Sequence, residues 1–419
     1  MKEEVSIISK IKEWLFNNMV TILFVVLCAA GIEVSRQPLS FVLGELVTRI
    51  ARNLFLVLSL IIPVLAGMGL NFGIVIGAMA GQIAIIAVTH WKIAGIGGFL
   101  LCILISTPIA ILFGYFTGKL LNKTKGQEMI ASMILALFAN GLYQLLFLFF
   151  VGTIIPMDNP VMVLSGGIGI KNTLDLTGGI KYTLDSLFEM DLFVTIMGLL
   201  AAAILYNLIK MLINYRRTKK TGGKYLFNLL IIIAAMLCSI LIPKLNFAFK
   251  FVNVPIITLF VIGAVALFNS FLYRTKLGQD LRTVGQDMHV ANASGIKVNK
   301  VRIIAIVIST VLAAWGQLIF LQNIGTLNTY GSHEQVGMFS IAALLIGGAS
   351  VSKATNGQAL LGVILFHTLF IISPTAGKNL FDNPQIGEYF RGFIAYGVIG
   401  VSLGIYAWKK SVETRRLIE

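Results

Sequence analysis

The chain has 419 residues, 57% of them hydrophobic and only 12% charged, with a mean hydropathy of +0.89. Soluble domains carry about 25% charged residues, so this composition excludes an ordinary soluble globular protein and describes an all-α integral membrane protein. The formal charge of +15 does not point to nucleic acid. Lys and Arg gather in a few short loops, as the positive-inside rule expects of cytoplasmic faces.

At about 20 residues per span, residues 1–419 have room for ten to twelve helices in a single transmembrane domain. The N-terminus mixes Lys2, Lys10 and Lys12 with Glu3, Glu4 and Glu13, and no convincing cleavage site follows. The expectation is an uncleaved first span, Asn18–Val34. In Phe41–Asn53, Glu45, Arg49 and Arg52 recur at helical spacing, which predicts a helix at the interface or packed partly in protein. Apolar runs then cover Leu54–Leu70, Phe72–Val88, Ile93–Thr117 and Met129–Val151, with a basic cytoplasmic turn at Lys119–Lys125.

The segment Gly152–Asp191 carries Asp158, Asp175, Asp185, Glu189 and Asp191 against Lys171 and Lys181. That acidic balance places it outside, either as a docking surface or as an idle solvated loop. Spans resume at Leu192–Ile213, followed by an inner turn with Arg216, Arg217, Lys219, Lys220 and Lys224. Leu226–Ile242 and Val254–Tyr273 lead into a long basic loop, 274–302. The remaining spans are Ile303–Gln322, Met338–Gly348, Ala359–Ile372 and Phe393–Trp408, before a basic tail with Lys409, Lys410, Arg415 and Arg416. Both termini and every strong basic cluster fall on the cytoplasmic side in this count. Two halves, 55–215 and 254–408, flank the middle.

Loop 274–302 is the longest basic interruption in the chain. Within it Asp287 can cap a short helix and Gly295 can supply its left-handed stop. Met288, His289, Val290, Ala291, Asn292, Ala293 and Ser294 lie between, about two turns or roughly 11 Å. The small residues leave a face low enough to sit in a groove of another protein. A helix of this kind between two spans suits a membrane domain that takes a push from a soluble motor; the competing reading is an ordinary solvated loop. Arg274, Lys276 and Arg282 read first as lipid-headgroup anchors.

Ala66–Gly73 (AGMGLNFG) is echoed in style by Gly347–Lys353 (GGASVSK), and each is followed by a Gly-Gln pair, Gly81-Gln82 and Gly357-Gln358. Small residues at a helix break free backbone groups to line a cavity, and repeated broken helices are a way of building a central path. Tight packing with no path is the alternative. The span count puts both segments on the cytoplasmic side, whereas an inverted repeat requires opposite sides, so the expectation is that one span is miscounted or re-entrant.

Candidate path residues are Gly69, Asn71, Phe72, Gln82, Gly347, Gly348 and Ser350, together with Asn140 and Gln144, one turn apart on a shared face. A polar pair in a span faces the bundle or water, and for these two interhelical hydrogen bonding is the first reading. His367, in an apolar run, reads as structural, and His90 beside Trp91 and Lys92 as an interfacial anchor. Cys28, Cys102 and Cys238 each lie in an apolar run and read as packing residues. No GxxxxGK[ST] sequence and no spaced Cys/His set is present.

The run Gly278-Gln279-Asp280-Leu281-Arg282-Thr283-Val284-Gly285-Gln286-Asp287, continuing Ala291-Asn292-Ala293-Ser294-Gly295-Ile296, resembles the cytoplasmic loop of bacterial ABC importer permeases of the ribose, galactose, nucleoside and branched-chain amino-acid type. Gly69-Leu70-Asn71-Phe72-Gly73-Ile74 with Gly81-Gln82 looks most like the nucleoside-type members. Gln279 stands where the family usually has Arg, and no Glu immediately precedes Gly81.

The resemblance implies a permease subunit with no catalytic residues and no cofactor of its own. It pairs with a second permease and sits on an ATP-binding ATPase subunit, and an extracellular solute-binding protein delivers a nucleoside or simple sugar. It also implies that Leu281, Arg282, Asp287, Met288, His289, Val290, Ala291, Ala293 and Gly295 form the ATPase contact, with Leu281, Met288 and Val290 as knobs; the alternative is that these hydrophobics tuck against the protein's own helix ends. Closure of the ATPase pair on ATP then swings the path outward, and hydrolysis resets it. A loop can bias two states only if it docks differently in each. The rival class is an ion-gradient-driven secondary transporter. The acids Glu33, Glu45, Glu128 and Glu388 lie near span ends or in loops, which argues against it.

Overall fold

A computed structural model describes residues 18–157, 159–218, 223–241 and 249–393, with isolated positions beyond them. The basic turn at Lys219 and Lys220, Asp158, much of the expected last span and the tail from 409 lie outside the described residues. The helices are α1 (Met19–Ser35), α2 (Leu39–Ser59), α3 (Ile61–Leu65), α4 (Ile74–His90), α5 (Gly95–Lys123), α6 (Glu128–Leu145), α7 (Leu192–Thr218), α8 (Gly223–Leu241), α9 (Ile256–Leu272), α10 (Lys276–Gln286), α11 (Met288–Ala293), α12 (Val298–Ile324), α13 (Ser332–Ile346) and α14 (Asn356–Phe381). Six helical stretches are long and apolar enough to cross a membrane, and α9 with α10 forms a further one, bent by 73°. Three shorter apolar helices, α1, α4 and most of α8, accompany them among the described residues. The protein is an all-α membrane protein with broken helices.

Two small antiparallel pairs decorate one end. β1 (Thr173–Asp175) pairs with β4 (Thr326–Asn328), and β2 (Glu189–Asp191) with β3 (Asn253–Pro255).

Helix α12 is the axis, and small residues explain how its neighbours come so close. A Cβ on Gly77 would lie 2.5 Å from the Thr310 carbonyl oxygen, and one on Gly81 2.7 Å from that of Ala314. On α5, Gly114 and Gly118 stand in the same relation to Val307 and Ile303. Both pairs are spaced four apart, so each helix presents a smooth stripe to α12 and packs backbone against backbone.

The first correction concerns residues 39–65. Phe41–Asn53, read as a helix at the interface or packed partly in protein, and Leu54–Leu70, read as a separate span, join in one nearly continuous rod, α2 with α3, Leu39–Leu65, and of the two readings of the first part packing within the protein is the one observed. Its Arg52 finds protein partners. Arg52 Nε donates to Asn323 Oδ1 at 2.8 Å, and Asn323 Nδ2 donates to Asp185 Oδ2 at 2.6 Å. Because those groups are satisfied, the helix need not lie at an interface to solvate them.

The same contacts rule out an idle solvated loop at 159–191. Tyr182 N donates to the Gln322 carbonyl, Asp185 is buried and accepts from Thr258, and Ile170, Leu174 and Leu176 are buried. The segment is a folded cap strapped to α12 and α9.

The opposite end gathers the glycine break 66–73, the Lys119–Lys125 turn, loop 274–302 and the break 347–355. Asn122 Nδ2 donates to the Asn299 carbonyl, and a Cβ on Gly69 (φ +67°) would meet Val351 Cγ1 at 2.9 Å. Both glycine breaks therefore share one end and touch, as the span count had it, with no miscounted span required. The Gly-Gln pairs do not correspond: Gly81-Gln82 lies inside α4, whereas Gly357-Gln358 opens α14.

Gly285 on α10 bears directly on this end. A Cβ there would fall 2.3 Å from the Leu65 carbonyl oxygen and 2.9 Å from Gly67 N, and backbone atoms cannot swing away as side chains do. Gly285→Ala is expected to cost about 1–3 kcal/mol of stability, read as a lower midpoint of thermal denaturation. Gly141→Ala, in a helix with nothing within 4 Å of the new methyl, should leave the midpoint unchanged or raise it.

Candidate functional site

Inside the bundle, four polar side chains from three helices form one chain of contacts. Gln82 on α4 is fully buried, and its Oε1 lies 2.8 Å from His333 Nδ1. His333 opens α13, is also fully buried, and places Nε2 2.8 Å from Asn140 Oδ1 on α6. Asn140 Nδ2 donates onward to Glu334 Oε1. That last bond fixes the Asn140 amide, so its Oδ1 accepts from His333 Nε2–H. The other ring nitrogen donates to Gln82 Oε1 when the imidazole is charged, and accepts from the amide NH2 of a turned Gln82 when it is neutral.

The chain ends on capacity left over. Gln82 Nε2 and the Tyr143 hydroxyl are buried without partners, and the Tyr143 ring stacks on His333 at 4.8 Å between centroids. Beside it lies a cavity of about 340 Å³, lined among others by Phe72, Asn140, Glu334, Phe339 and Tyr396. Cavities of about 300–1,000 Å³ with a few convergent polar groups on aromatic walls are the usual form of small-molecule sites.

The predicted path residues divide. Gln82, Asn140 and Phe72 come together here. Asn71 is buried just below, with Oδ1 accepting from Gly73 N at 2.9 Å and Nδ2 unpartnered, while Phe72 N donates to Ser132 Oγ. Gln144 is half-buried and outside this chain of contacts. Gly69, Gly347, Gly348 and Ser350 belong to the far end of the bundle. Gly347 and Gly362 let α13 and α14 touch backbone to backbone, Gly348 accepts from Gln358 Nε2 at 2.7 Å, and Ser350 Oγ accepts from Lys353 N. Those residues build the turn between two helices rather than the wall of this cavity. His367 is buried among Phe366 and Phe370, with its Nδ1 left without a hydrogen-bond partner. The three cysteines are unpaired.

His333, Glu334 and Tyr143 escaped the sequence reading. Ser332-His333-Glu334-Gln335 looks like a polar loop ahead of the Met338–Gly348 span, yet α13 begins at Ser332. Four polar residues abutting an apolar run, with Val336, Gly337 and Ser340 continuing one face, were the available signal.

At the other end, α11 is formed as expected. Asp287 Oδ1 accepts from His289 N at 2.7 Å and Val290 N at 3.1 Å, and Gly295 takes φ +80° just past the helix. The backbone N–H of Val290, and then that of His289, hold the Asp287 carboxyl below the usual carboxylate range. Which residues face outward needs correction. Leu281 and Ala291 are fully buried and Met288 is half-buried against the protein itself, with its Sδ 3.1 Å from Arg302 Nη1. These hydrophobics fill the gap under α10 and α11, and of the expected knobs only Val290 stands out, 55% exposed. Asp287, His289, Ala293 and Gly295 share its exposed surface. Arg282 stacks over Tyr273 at 4.1 Å.

What holds α11 in place is an ion pair that the sequence did not disclose. Arg302, at the start of α12, is fully buried and donates through Nη2 to Glu128 Oε1 at 2.6 Å and through Nε to Asn122 Oδ1 at 2.9 Å. One guanidinium thus ties α5, α6, α11 and α12 together.

Comparison with known proteins matches this architecture to one family. Residues 176–401 match the family described as branched-chain amino acid transport system / permease component. The chain is 29% identical over 135 residues to the xylose transport system permease protein XylH of Haemophilus influenzae, covering 32% of this chain and 34% of that protein. It is 30% identical over 169 residues to a probable ABC transporter permease protein, YphD of Escherichia coli (40% and 49%), and 26% identical over 146 residues to the high-affinity branched-chain amino acid transport system permease protein BraD of Pseudomonas aeruginosa (34% and 43%). Each match spans a third to a half of the relative's own length. No solved structure matches the chain significantly. With more than half of its length inside that match, the chain belongs to the branched-chain amino acid transport system permease family.

Proposed function

We propose that this permease is the membrane subunit of an ATP-driven importer, and that its solute is small, polar and uncharged, a simple sugar or a nucleoside. The observation that carries the reading is α11, a capped helix with Val290 exposed at its tip, locked to three other helices through Arg302. A helix that is rigid on its inner side and bare on its outer side suits transmission of a push from a partner. In this reading the end bearing α11 faces the cytoplasm, and the folded cap at 159–191 meets a solute-binding protein outside. The chain pairs with a second permease, and ATP is held by the separate ATPase subunit.

The solute class rests on the cavity. The amides of Asn140 and Gln335, the Tyr396 phenol and the Glu334 carboxylate beside Phe72 and Phe339 suit the hydroxyls and ring faces of such a solute.

The test is coexpression with the cognate ATPase subunit. Val290→Arg with Ala293→Arg places two charges on the exposed face and leaves buried Ala291 alone, so the protein should insert normally and lose ATPase copurification. Undiminished copurification from that double variant would count against α11 as the contact.

A further inference from the structure

A second cavity, about 870 Å³, opens beside α10 at the same end as α11, and its lining stops at Gln286, short of α11. Among the described residues three cations line it, Arg274, Arg282 and Lys353, and no carboxylate does. They come from α10, the turn before it and the break before α14, so distant stretches of chain bring one sign of charge to one hollow. Arg282 is held over the Tyr273 ring, and its Nε is buried without a hydrogen-bond partner. Asn269, only 5% exposed, lines the cavity with its Oδ1 unpartnered while its Nδ2 is anchored on the Leu58 carbonyl at 3.1 Å. The 26-residue helix α14 starts at Asn356 in the same wall, adding the partial positive charge of a helix N-terminus.

We infer that this cavity binds a phosphate monoester or diester that also carries a hydroxyl group. The phosphate charge answers Arg274, Arg282 and Lys353, and a hydroxyl donates to Asn269 Oδ1. Guanidinium and ammonium groups without carboxylate partners are a strong match for phosphate, and the volume is that of a small-molecule site. Two sources supply this chemistry, a soluble sugar phosphate and the headgroup of a glycerol-based anionic phospholipid such as phosphatidylglycerol.

The experiment uses the full chain in nanodiscs. In phosphatidylcholine discs, equilibrium dialysis with radiolabelled glucose 6-phosphate should show saturable binding, with glucose alone not competing. In discs containing phosphatidylglycerol, native mass spectrometry should show that lipid retained on the protein, and glucose 6-phosphate should displace it if the two share the site. Arg282→Gln with Lys353→Gln should weaken either ligand by about tenfold or more. Arg274→Gln with Lys353→Gln alters only exposed side chains and should show the same direction without disturbing the fold. Binding of the soluble ester alone, or retention of the lipid alone, identifies the source. If neither ligand distinguishes the wild type from both variants, or if the variants lose only ATPase association, the cavity is not a phosphate site and the inference fails. Copurification of the ATPase is a separate readout, so this failure leaves the ATP-driven reading standing.

Discussion

Replacing Glu128 by Ala is expected to unfold much of the end that bears α11, a larger loss than removing both Glu128 and its partner. Arg302 is fully buried, and among the described residues Glu128 is its sole carboxylate contact, at 2.6 Å. Removing one member of a buried pair leaves an uncompensated charge, at a cost of about 3–5 kcal/mol, whereas replacing both with apolar groups of similar size is often close to neutral. Thermal denaturation of the purified chain should therefore rank the variants with Glu128→Ala lowest and Glu128→Met with Arg302→Met nearer the wild type. The double variant should still lose coupling, because Arg302 is also what holds Met288 and Asn122. If Glu128→Ala and the double variant melt together, the pair is not what locks α11 to the bundle.

The second large effect belongs to His333. His333→Phe keeps the ring stack on Tyr143 and removes both nitrogen contacts. Gln82 Oε1 and Asn140 Oδ1 are then left in a buried site, at about 1–3 kcal/mol each. Solute uptake is expected to fall by about 10–100-fold, with membrane insertion and ATPase association unchanged. Glu334→Gln keeps an acceptor for Asn140 Nδ2 and should cost less. A His333→Phe protein that transports normally would remove the polar chain from the path. Equal losses of uptake and of folded protein would make His333 a packing residue only.

How far the sequence carried can be judged from these residues. The all-α membrane class, the cap and stop of α11 and the outward Val290 were legible, because composition, periodicity, Asp287 and Gly295 act locally. Gln82, Asn140 and Phe72 stood out as polar or aromatic interruptions, but nothing local told that they meet each other while Gln144 does not. Their meeting depends on α13, whose start was hidden under polar letters. The pairing of Glu128 with Arg302 spans 174 positions and leaves no local trace. Leu281 and Ala291 looked like a surface for another protein because an apolar residue in a polar loop reads alike whether it faces a partner or its own helices. The rod at 39–65 was divided for a related reason: Arg52 suggests water until Asn323 and Asp185 are seen near it.

Reconstitution decides the central claim. Proteoliposomes carrying this chain with its paired permease and ATPase subunit, supplied with the solute-binding protein, should accumulate a labelled sugar or nucleoside only when ATP is present on the ATPase side. Accumulation by this chain alone, without nucleotide and under an imposed proton or sodium gradient, would contradict it.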